Sequence, residues 1–214
     1  MSDKNSVMVW DEDVDFIDAN QYQPDVCYSL VHSWLSAMKK SEDEGVNWCK
    51  DAHKQELPSK FYAYHIEANH KYGSAFLMKP GAIDINNYQS ISYREDHQKI
   101  IDKQFYDSIN LSVKRTITLD FEINLNNILL KLEYSKRLYA LIYESNSEKD
   151  PYHAVGIVST KFSCGIMPNG GYIYLYDPNN GFVIKAKSRN ELNKCIKLQI
   201  APKYGKIKQI KEFS

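Results

Sequence analysis

Apolar positions recur at helical spacing in the first half of the chain and alternate in the second. Val31, Trp34, Leu35 and Met38 fall at i, i+3, i+4 and i+7, which predicts a helix opening near Pro24 with Asp25 as its N-cap. The Glu-Asp-Glu-Gly run at 42–45 is expected to end that helix, and a second is expected over about 46–57. Residues 58–95 carry mixed patterning. Helical spacing returns at 96–109, alternation at 115–123, and a further helical face (Leu125, Ile128, Leu129, Leu132) at 124–135. Four short β-rich runs follow at 137–145, 152–160, 171–178 and 181–187, separated by Asn, Pro and Gly turn residues. They predict an antiparallel meander. A last helix is expected at 188–200, before a lysine-rich tail. Helices first and strands second give an α+β class, with the helices on one side of the sheet.

The 214 residues fit one domain spanning the whole chain, with the acidic segment 1–20 expected to be loose. Twenty-seven basic residues balance 27 acidic ones, so nothing in the charge argues for nucleic acid. No apolar run approaches the roughly 18 residues of a membrane span, and the polar, acidic start does not read as a signal peptide. Synthesis in a cytoplasm with reduced thiols is the expectation, and export by a specialised secretion system would leave no trace of this kind. Four cysteines, at 27, 49, 164 and 195, form no CxxC pair, and no histidine pair has zinc spacing, so neither metal nor cofactor is expected.

Three positions carry the candidate chemistry. Cys27 falls in the first turn of the first predicted helix, where unpaired N–H groups and the dipole favour a thiolate. The competing reading is a small apolar residue packed beneath the helix. His153 opens the run HAVGIV, as a base on a rigid strand or as a structural strand-end histidine. Asp177 closes the strand YIYLYD just before Pro178-Asn-Asn-Gly181, a predicted hairpin turn. Antiparallel pairing of 152–160 with 171–178 brings the start of one strand to the end of the other, and so His153 to Asp177. A nucleophile, a base and an orienter then follow as one geometric statement. Upstream, Gln21 is favoured over Gln23 as an amide donor to a developing oxyanion, alongside the N–H of Cys27.

The blocks DVCYSLVHSWL (25–35), HAVGI (153–157) and YLYDPNNGF (174–182) resemble the Cys, His and Asp blocks of the YopT-like, papain-like bacterial effector proteases. They stand in the family's order, and the aromatic-Asp-Pro-Asn-x-Gly block is the most specific. The family's glycine before the cysteine is replaced by Pro-Asp-Val, and the interval from His153 to Asp177 is long, with 161–171 as an extra hairpin tip. The resemblance implies a papain-like fold with Cys27 as nucleophile, His153 as base and Asp177 as orienter. It also implies a protein substrate, a host signalling protein in the family, reached after export into a host cytosol. The same triad would serve a glutamine deamidase or transglutaminase through the same thioester. Bacteriocin-exporter peptidase domains use similar blocks, but no exporter membrane region follows. A non-catalytic binding module on this scaffold is the alternative from another class. Sequence leaves the oligomeric state open.

Overall fold

The computed structural model describes residues 14–18, 27–51, 103, 106–118, 136–144, 152–164, 167–179, 182–200, 202 and 206–214, and the elements delimited among these described residues are nine strands and three helices. In chain order the elements are β1 (Val14–Asp18), α1 (Cys27–Lys40), α2 (Glu42–Asp51), β2 (Val113–Thr118), β3 (Arg137–Glu144), β4 (Tyr152–Ser159), β5 (Phe162–Cys164), β6 (Met167–Asn169), β7 (Ile173–Asp177), β8 (Phe182–Ala186), α3 (Arg189–Cys195) and β9 (Lys206–Phe213). One π-helical turn, Ile196–Ile200, continues α3.

Seven strands make one sheet in the order β1-β8-β7-β4-β3-β9-β2, every neighbouring pair antiparallel. The four β-rich runs are its consecutive centre, β3-β4-β7-β8, as the turn residues between them predict. The strand alternation sorts side chains between two faces. Leu138, Ala140 and Ile142 of β3, with Ala154 and Val158 of β4, pack against Leu30, Val31, Trp34 and Met38 of α1. Tyr139, Leu141 and Tyr143, with Val155 and Ile157, share the opposite cluster with Leu192, Cys195 and Ile196. Helices therefore cover both faces, where one-sided packing was expected: α1 and α2 lie on one side, and α3 with the π turn closes the other.

Gly156 sets how closely α1 approaches β4. A Cβ there would stand 2.6 and 2.7 Å from two Trp34 ring carbons, so the bare backbone is what the indole lies on. Gly45 plays the same part between the helices, since a Cβ would run into the Met38 side chain.

Three expectations change. The Glu-Asp-Glu-Gly run does not terminate helical structure but opens α2 after a one-residue break at Ser41. Ser41 Oγ accepts from Glu44 N at 3.0 Å, and the acidic first turn suits the positive end of the new helix. Residues 14–18, placed in a loose segment, form edge strand β1 against β8, Val14 opposite Ala186 and Asp18 opposite Phe182. The lysine-rich tail contains β9, which lies between β3 and β2. Both strands find partners far away in sequence, which local pattern does not reveal. The predicted helix at 124–135 and all of 58–102 lie outside the described residues.

The insertion at 161–171 is a separate hairpin, β5 paired with β6. Its neck is pinched where Thr160 N donates to Tyr172 O (2.9 Å) and Tyr172 N to Thr160 Oγ1 (3.0 Å). Gly171 permits this at φ +84°, with Thr160 O only 2.8 Å from where a Cβ would sit. The register of β4 and β7 resumes directly at Ser159 opposite Ile173. The extra residues thus leave the far ends of both strands in place.

Candidate active site

At those far ends stand His153 and Asp177. Gly156 pairs with Tyr176, so one step further along the register Val155 stands beside Asp177 and His153 lies diagonal to it. Diagonal neighbours are within reach of long side chains, and His153 Nε2 lies 2.8 Å from Asp177 Oδ1. A carboxylate only accepts, so Nε2 carries the proton. The same Oδ1 accepts from Asn179 N at 2.9 Å. The turn after β7 therefore folds back onto the aspartate and fixes its carboxylate plane. His153 is 4% exposed and Asp177 0%.

With Nε2 committed to Asp177, Nδ1 is the ring nitrogen left for another partner. The Cys27 side chain stands close enough to act on the His153 imidazole, favouring its protonated form. Cys27 is the first residue of α1 and 8% exposed, at the margin of the α1-side core. Burial alone would pull the imidazole down. The hydrogen bonds to Asp177 and Cys27, and the charges of both, outweigh it and raise His153 to about 9.

The other described cysteines and histidine are different. Burial pushes the Cys49 thiol well up, and burial together with the Glu191 charge pushes Cys195 up to about 11. Both stay as thiols in apolar surroundings. His32 is fully buried on α1 and held down at about 3, first by burial and then by the charge of Lys211, so it takes no part as a base near neutral pH. Cys164's side chain and Gln21 lie outside the described residues.

Tyr143 is a member of the site that sequence reasoning missed. It stands directly opposite His153 in the β3–β4 register, and burial together with the Asp177 charge pushes its phenol up, so it stays protonated. Its alternation with Tyr139 and Leu141 along β3 was visible, but nothing in that pattern marks which strand lies behind the histidine. Among the described residues, no group of three or more His, Cys, Asp or Glu side chains is placed to hold a metal ion.

No protein-family model matches the chain, and no curated protein matches it in sequence. The fold does have a solved counterpart. The chain is similar to the Pseudomonas avirulence protein AvrPphB, with a TM-score of 0.51 over 92% of this chain and 96% of that one, at 14% identity. The helical first half and antiparallel second half give the chain the papain-like α+β fold that the motif order implies.

Proposed function

We propose that this chain is a thiol protease acting on a protein substrate, with Cys27 as nucleophile, His153 as base and Asp177 as orienter. The observation that carries the proposal is the His153 ring held by Asp177 at 2.8 Å on Nε2, with the Cys27 side chain also favouring its protonated form. Cys27 Sγ, as the thiolate beside the imidazolium, attacks the substrate carbonyl. The tetrahedral oxyanion is held by the Cys27 N–H and the Gln21 amide. His153 then gives its proton to the leaving amine, and a thioester remains. Water, its proton taken by His153, hydrolyses the thioester and frees Cys27. Asp177 keeps the ring in the tautomer that presents Nδ1 and stabilises its charged form.

The fold shared with an avirulence protein, together with the YopT-like blocks, supports an effector role. On that reading the protein is exported from a bacterium and cleaves a host protein. No helix among the described residues is long and apolar enough to cross a membrane.

The test is alkylation of the full chain by iodoacetamide at mildly acidic pH, located by peptide mass spectrometry. Cys27 is expected to react well before Cys49 and Cys195, and His153→Ala to abolish the difference. Equal reactivity of the three would sink the assignment. With a candidate substrate, a new terminus marks a protease. A one-dalton gain at a glutamine side chain marks a deamidase using the same thioester, and would overturn the protease assignment.

A further inference from the structure

On the side of α1 that faces β9, the chain buries a lysine, two tyrosines and a histidine together. Lys211 of β9 is 8% exposed, His32 and Tyr106 are buried, and Tyr28 is half-buried. Burying a cation is costly unless its donors are well received. Here the distances fix which atom donates to which. An ammonium only donates, so Tyr28 Oη (2.6 Å) and Tyr106 Oη (3.0 Å) both accept from Lys211 Nζ. A backbone carbonyl only accepts, so His32 Nδ1 carries a proton and gives it to Tyr28 O at 2.6 Å. His32 is neutral, which leaves Nε2 bare to accept from Tyr106 Oη at 3.4 Å. With the Tyr106 hydrogen used there, the contact between the two hydroxyls runs from Tyr28 to Tyr106. The circuit runs Lys211, Tyr28, Tyr106, His32 and back to Tyr28, reaching that residue by its side chain and by its carbonyl.

Tyr28 directly follows Cys27. We propose that Lys211, acting through this ring on Tyr28, is a positioning residue that sets the first turn of α1 so that Cys27 Sγ faces His153. The inference rests on the assignment of Cys27 made above. It explains why a cation is buried in a layer that otherwise packs apolar side chains against the sheet. It also gives β9, two strands away from His153, a part in the site.

The test compares the full-length Tyr28→Phe, Lys211→Met and Lys211→Arg variants with wild type. The rate of Cys27 alkylation by iodoacetamide is measured in the folded protein, beside the melting temperature. Tyr28→Phe and Lys211→Met are each expected to slow Cys27 on the order of tenfold, because small displacements of reacting groups are costly. The double variant should be no slower than the worse single one, since the residues act as one ring. Lys211→Arg, which keeps a cationic donor, should recover much of the rate. Tyr28→Phe leaves the lysine charge in place and so separates orientation from electrostatics. Variants that melt lower but alkylate at the wild-type rate would show a merely structural ring and overturn the proposal. A wild-type Cys27 as slow as Cys49 would overturn it together with the functional assignment.

Discussion

His153 is the residue on which the site's electrostatics turn. Its folded value near 9 lies above the ordinary 6.5, so folding favours the protonated ring. The resulting stability is present in full below pH 6.5 and is lost as pH rises towards 9, on the order of 3 kcal/mol across that window. Asp177→Asn removes the largest raising influence and leaves burial to pull the ring down. The expected outcome is that wild type and Asp177→Asn differ most in urea-unfolding free energy below pH 6.5 and converge towards pH 9. NMR titration of the His153 ring should show the drop directly, and parallel stability profiles would refute the coupling. Cys27, His153 and Asp177, the residues of the proposed site, each sit beside a local marker in the sequence: a helix start, a strand start, a turn. Tyr143 and Lys211 carry no such marker. Tyr143 is one of two tyrosines and Lys211 one of three lysines along its strand, and only the cross-strand register tells them apart.

Between elements, the decisive contact is α1 on β4. Gly156 lets the Trp34 indole lie on the strand, three residues from His153 and seven from Cys27. Gly156→Val would press the indole outward. The expected cost is about 1–3 kcal/mol in unfolding free energy, with slower alkylation of Cys27, because the helix carrying the thiol shifts against the strand carrying the base. Ser188→Ala is the counterpart on the other face of the sheet. It breaks the capping box in which Ser188 and Glu191 exchange side-chain and backbone hydrogen bonds at the start of α3. A loss of about 1 kcal/mol is expected, with Cys27 reactivity unchanged. If Ser188→Ala also slowed Cys27, the site would depend on general stability instead of on the α1–β4 contact. The meander and α1 were legible because their patterns are local. The opening of α2 was not. A run of acidic residues ending in glycine resembles a helix stop, unless one sees that Ser41 caps the next helix and Gly45 lets it pack on Met38.

Across the whole molecule, the proposed site joins residues 27, 153 and 177, and the pairing of β4 with β7 brings the last two together. The one-domain reading of the sequence rests on composition and length. Strands β3, β4 and β7 each contribute alternate side chains to both apolar layers, and on that ground the two layers are expected to unfold together. Strands β1 and β9, the parts least legible from sequence, tie both ends of the chain into that sheet, by pairing with β8 and with β3 and β2. Leu141→Ala in the α3-side layer and Val158→Ala in the α1-side layer should therefore lower a single shared transition. Leu141→Ala is expected to cost about 2–5 kcal/mol and Val158→Ala less, in proportion to the smaller volume removed. In a Trp10→Phe background, tryptophan fluorescence, then reporting Trp34 and Trp48 on the α1 side, should coincide with far-ultraviolet dichroism of the whole chain in both variants. Two resolved transitions, with Leu141→Ala moving the dichroism but not the fluorescence, would mean that the layers fold separately. The contact between Cys27 on α1 and His153 on the sheet would then be a contact between independent units.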